Sequence, residues 1–141
     1  MNNKIHSAPL TAHFNLSEFI HSVTASQRSI NNDLPEEYFD RIRGLALILE
    51  HVRSLIDDKI IITSGYRCPA LNRLVGGARN SKHTLGVAVD FTFGDFHLKC
   101  GIVARALKLS FNCHFVKVYG DRNFIHVDFP ISYLESLSHD N

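Results

Sequence analysis

Val87-Ala88-Val89-Asp90-Phe91-Thr92-Phe93 alternates with a period of two. Val87, Val89, Phe91 and Phe93 share one face, while Ala88, Asp90 and Thr92 share the other, which is the pattern of a half-buried strand. Downstream, residues 115–119 and 124–129 flank Gly120-Asp121-Arg122-Asn123, a strong turn composition, and predict a hairpin. In its second arm Ile125, Val127 and Phe129 face the core, so His126 and Asp128 face the opposite side. Upstream, the short β-branched run Ile60-Ile61-Ile62-Thr63 predicts a buried strand. Phe39, Ile42, Leu45, Leu49, Val52 and Ile56 recur at helical spacing and predict a helix over 34–57. Asp33 and Glu36 fit a capping box there, with Pro35 in the first turn. A second helix is expected over 97–110 through Ile102, Val103, Ala106, Leu107 and Leu109, and a short one over 70–75. Phe14, Leu16, Phe19 and Ile20 suggest a helix or turn covering a core edge. The fold class is therefore α+β, a small central antiparallel sheet with helices packed on it. The expected organisation is a loose N-terminus over 1–13, one domain over 14–130 and a polar tail over 131–141.

The composition narrows the function classes. A chain of 141 residues fits one domain on the usual prior of roughly 100–200 residues. Its formal net charge of +1 argues against a basic nucleic-acid clamp, and Lys99, Lys108 and Lys117 form no run. No apolar run approaches the ~18 residues of a membrane span. The stretch MNNKIHSAPLTAHFNLSEF lacks the continuous apolar core of a secretory signal, so synthesis in the cytoplasm without Sec export is expected. Cys68, Cys100 and Cys113 are odd in number and form no CxxC, so they read as buried free thiols. A monomer is expected.

Chemistry concentrates between residues 64 and 128. Residues 64–86 are rich in Gly, Ser, Asn and Arg, the composition of a site-building loop. Within and after it stand Ser81-x-His83-x-x-Gly86-x-Ala88-x-Asp90 and Phe124-Ile125-His126-Val127-Asp128. A catalytic zinc takes three protein ligands and keeps one position open. His83, Asp90 and His126 supply two imidazoles and a carboxylate, and all three can meet one ion if their strands are neighbours. There is no HExxH, so a helix-borne zinc protease is excluded. Glycines 65, 76, 77 and 86 read as turn and close-approach positions, and no phosphate-binding loop is present.

These motifs carry a family resemblance. Ser64-Gly65-Tyr66-Arg67, Gly76-Gly77, Ser81 to Asp90 and Phe124 to Val127 resemble the zinc peptidases of the D-Ala-D-Ala carboxypeptidase / L-Ala-D-Glu endopeptidase family. Those enzymes cut peptidoglycan stem peptides. The resemblance is nearest to the small single-domain members found in bacteriophages and bacterial genomes, and spans about residues 14–129. It implies the fold shared with lysostaphin-type peptidases and the hedgehog domain. It also implies Zn2+ as cofactor, with His83, Asp90 and His126 as ligands. Arg67 matches the family arginine that contacts substrate and the developing oxyanion, a role suited to a fork of charged donors. Ser81 and Tyr66 are expected at the substrate.

The general base is open at this stage. Three residues before His126, where the family carries a carboxylate, stands Asn123. Asp121, Asp128 and, below them, His114 are the candidates for taking a proton from water. Asp128 could instead orient an imidazole. The resulting expectation is a zinc metallopeptidase acting on the cell wall, reaching it by phage-type release. The competing readings are a non-catalytic zinc-binding recognition module of the same fold and a cytosolic D-Ala-D-Ala dipeptidase.

Overall fold

A computed structural model describes residues 9–139. Four strands, β1 (Ile61–Ser64), β2 (Ala88–Thr92), β3 (Phe115–Tyr119) and β4 (Phe124–Asp128), form one antiparallel sheet in the order β1-β2-β4-β3. Among the described residues six α-helices accompany it: α1 (Leu16–Ile20), α2 (Val23–Gln27), α3 (Phe39–Ile56), α4 (Pro69–Leu74), α5 (Phe96–Ser110) and α6 (Ile131–His139). The fold is α+β, as expected. No helix among the described residues is long and apolar enough to cross a membrane.

The core lies on one face of the sheet. Val89, Phe91, Ile125 and Val127 from β2 and β4 are fully buried there. Ile42, Leu45, Leu49 and Val52 of α3 and Val103 and Leu107 of α5 belong to the same cluster. Burying a side chain of this size contributes about 1.5–3 kcal/mol, which is why the two central strands alternate so strictly.

Several expectations change in the three-dimensional context. The α-helix begins at Phe39, after a 3-10 turn over Glu36–Tyr38. A capping box forms instead at α1, where the Asn15 N–H donates to the Glu18 carboxylate. β1 is an edge strand with Ile61 half exposed, because it has a neighbour on one side only. In α5, Ile102 and Leu109 point to solvent, since only the stripe through Val103 and Leu107 meets the core. The three cysteines are free and half-buried.

Both ends are more structured than their composition suggests. Within the expected loose N-terminus, residues 1–8 lie outside the described residues. Leu10, however, is buried, and a bridge joins Pro9 to Asn15. The expected polar tail is helical through His139, and its Leu134 is fully buried against α3. Gly44 of α3 makes that approach possible, since a Cβ there would collide with the Leu134 backbone. Tyr133 and Leu137 pack against the core beside Leu134, a stripe too short to stand out among the polar neighbours.

Candidate metal centre

The Ser81-x-His83-x-x-Gly86 spacing has a physical reading. Residues Lys82–Leu85 form a 3-10 turn capped by Ser81, whose Oγ accepts the His83 N–H at 3.2 Å. Gly86 ends the turn at φ 72°, a left-handed conformation that glycine adopts without strain. The turn leaves His83 buried at 3% exposure and aimed across the sheet at Asp90. Asp90 lies on the face of β2 opposite the core, and the register pairs it directly with His126 on β4. Strand alternation and register thus bring together two side chains 36 residues apart.

Asp90 Oδ1 stands 3.2 Å from His83 Nε2 and 2.8 Å from His126 Nδ1. Two ligands of one tetrahedral zinc, each about 2.0–2.1 Å from it, stand roughly 3.3 Å apart. His83, Asp90 and His126 are also the only group among the described residues whose ligand atoms converge in this way. The remaining ring nitrogens are engaged behind the centre. His83 Nδ1 lies 2.7 Å from the Gly65 carbonyl oxygen, so that nitrogen carries the proton and leaves Nε2 a lone pair. His126 Nε2 donates to Asp128 Oδ2 at 2.8 Å, turning Nδ1 toward Asp90. Such partners orient imidazole ligands and raise their basicity. The donor set fits a zinc ion.

The electrostatics follow from the same contacts. Burial alone would raise the Asp90 carboxyl, but its contacts with the His126 and His83 imidazoles outweigh it and hold it at about 2. Burial alone would lower the His126 imidazole, but Asp128 and Asp90 on its two sides lift it to about 9.

A family model described as Peptidase M15 matches residues 12–128, most of the chain. The chain belongs to the peptidase M15 family. No curated protein and no solved structure matches it.

Beside the three candidate ligands of this M15 chain opens a cleft of about 360 Å³, which Arg67 and Ser81 also line. Arg67 donates through Nη2 to Ser81 Oγ at 3.2 Å, and its Nε–H is buried without a partner. Its backbone N–H donates to the His83 carbonyl. Asn32 steadies this loop from below, donating to the carbonyls of Ile20 and Tyr66 and accepting from the Cys68 N–H. Gly65 is required here, because a Cβ would collide with the Phe19 carbonyl.

Not every expected residue reaches the cleft of the M15 chain. Tyr66 is buried at 6% exposure, edge-on to Tyr38, and is absent from the cleft lining. Burial pushes its phenol up to about 12. The Tyr66 N–H bonds the Phe19 carbonyl, and that tether turns the ring inward. Asp128 sits at 4% exposure beneath His126, with Oδ1 on His114 Nδ1 at 2.8 Å. His114 precedes β3, so strand parity does not reach it, and its largely exposed ring turns to Asp128. Asp121 is exposed in the hairpin turn, with no side-chain hydrogen bond or ion pair among the described residues. Sequence reasoning missed Asn32, Lys82, Tyr119, Arg122 and Phe124, of which the last four line the cleft. For Tyr119 and Phe124 the signal was present, since both alternate onto the face of His126.

Proposed function

We propose that the chain is a zinc metallopeptidase that hydrolyses peptide bonds of peptidoglycan stem peptides. The observation that carries this reading is the convergence of His83 Nε2, Asp90 Oδ1 and His126 Nδ1 beside a cleft that Arg67 enters. A zinc ion held by these three would polarise the scissile carbonyl and activate water for attack. The chain's own residues supply the rest. The Gly65 carbonyl and Asp128 hold the two imidazoles in the ligating tautomers. Arg67, pinned by Ser81 and with Nε–H free, presents charge to a substrate carboxylate or to the oxygen that becomes negative during attack. Asp128 is committed to His126 and His114, which supports an orienting role rather than that of base. Asp121 is the carboxylate left free to take the proton and pass it to the leaving amine. It is one residue from Arg122, which lines the cleft.

A second reading has one specific observation in its favour. Among the described residues Asp90 is the one carboxylate that lines the cleft, as expected of a zinc-binding recognition module. One experiment separates the two: zinc-loaded protein is incubated with purified peptidoglycan and defined stem peptides and read by mass spectrometry, beside His126→Ala and Asp121→Asn. A new terminus at one peptide bond, absent from both variants, supports the peptidase and its base. Zinc-dependent binding of the peptides without cleavage supports the module. The same spectra name the bond, and so distinguish carboxypeptidase, endopeptidase and free-dipeptide hydrolysis.

A further inference from the structure

We propose that Arg122 is a specificity-determining residue that binds a carboxylate of the substrate on the hairpin side of the cleft. The inference rests on the peptidase reading and adds to it a residue that recognises the substrate's carboxylate.

The hairpin builds a platform for this arginine. Tyr119 and Phe124 pair across β3 and β4 and stack with centroids 4.5 Å apart and planes 10° apart. The Arg122 guanidinium carbon lies 5.2 Å from the centroid of each ring. A cation–π contact of this kind holds the guanidinium against the aromatic pair without using its N–H donors. Those donors meet no side-chain or backbone acceptor among the described residues. Tyr119, Arg122 and Phe124 all line the cleft that holds His83, Asp90 and His126.

Charge in the cleft points the same way. Arg67, Lys82 and Arg122 line it, while Asp90 is the one carboxylate there among the described residues and is shared between two imidazoles. The surplus is cationic, and a bound divalent ion would increase it. The anion that balances it belongs to the substrate. Sheet order separates the two arginines. Arg67 follows edge strand β1, Arg122 belongs to the turn that joins β3 to β4, and the strands carrying Asp90 and His126 run between. A peptide laid across the centre meets a cation on each side. A planar fork on carboxylate makes paired charge-assisted hydrogen bonds, which sets the expected preference at roughly tenfold or more.

The test uses three synthetic peptides: the stem pentapeptide L-Ala-γ-D-Glu-L-Lys-D-Ala-D-Ala, its C-terminal amide, and its D-isoglutamine counterpart. The amide isolates the terminal carboxylate and the isoglutamine form the α-carboxylate of the glutamyl residue. Zinc-loaded wild type, R122A and R122K are compared by kcat and KM, with zinc stoichiometry and circular dichroism as folding controls. Wild type is expected to favour the parent peptide over one of the two neutralised forms by tenfold or more, mainly through KM. In R122A that ratio should fall toward one, and R122K should lie between. A ratio unchanged in R122A overturns the inference, as does wild type cutting all three peptides equally, and both results leave the peptidase reading standing. If zinc-loaded wild type neither cuts nor binds any of the three, the functional reading fails and the inference with it.

Discussion

The two faces of β2 and β4 are built on opposite rules. On one face Val89, Phe91, Ile125 and Val127 are fully buried, and what matters is that they are apolar and fill space. On the other, Asp90, His126 and Asp128 form a string of hydrogen bonds at 2.8 Å, and what matters is distance. The same register serves both, since Val89 pairs with Val127 and Asp90 with His126. A slip of one residue would exchange the faces, burying the charges and exposing the core. The apolar face therefore stabilises the register on which the polar face depends.

That asymmetry can be broken from either side. His126→Ala should abolish stoichiometric zinc binding while the far-ultraviolet circular dichroism stays that of the folded chain, with zinc measured by equilibrium dialysis. Loss of the fold alongside the metal would show that the site face also holds the sheet together. Phe91→Ala, on the other side of the same strand, should cost about 3–5 kcal/mol in urea unfolding. Where the variant stays folded, its zinc stoichiometry should remain that of wild type.

Acidity sharpens the comparison, because only the polar face titrates. With His126 at about 9, a zinc ion must displace the Nδ1 proton over most of the accessible range. Apparent zinc affinity should rise about tenfold per pH unit up to about 9, and calorimetry in buffers of different ionisation heat at pH 7 should register about one proton released. The stability of metal-stripped protein carries the opposite sign. A pKa raised from the ordinary 6.5 to about 9 contributes stability that is complete below about 6.5 and lost as pH rises through 9. Asp90, held at about 2, contributes stability above about 4 that is lost as pH falls through 2. A zinc affinity flat from pH 6 to 9 would remove His126 from the ligand set.

The mildest change tests the partner behind the ligand. Asp128→Asn preserves shape and removes charge, so zinc affinity should fall roughly 10–100-fold. An unchanged affinity accompanied by complete loss of cleavage would instead make Asp128 the base.

Much of this was legible in the linear pattern, and the failures have physical reasons. The alternation of Val87 to Phe93 and of Ile125 to Phe129 marks two strands and their inner faces, because period two has no other stable reading at that length. The Ser81, His83, Gly86 and Asp90 spacing marks two of the candidate ligands, since cap, turn and positive-φ glycine are local events. Tyr66 escaped because the groups that enclose it, the Phe19 carbonyl on its N–H and the Tyr38 ring beside its own, lie 47 and 28 residues away. Arg122 escaped because its composition says turn, and only the stacked pair beneath it shows where its charge goes.

Local chemistry was thus enough for the four strands, the two long helices, the inward faces of the central strands and three candidate ligands. The family match over residues 12–128 agrees with that reading of the motifs. Strand order, the pairing of Asp90 with His126, the placing of Asp128 beneath an imidazole and the cationic lining of the cleft required the assembled chain. Periodicity records which side of a strand faces the core, a property of neighbours in sequence. A site is a set of distances between residues far apart in sequence, and those exist only once the sheet has closed in one register.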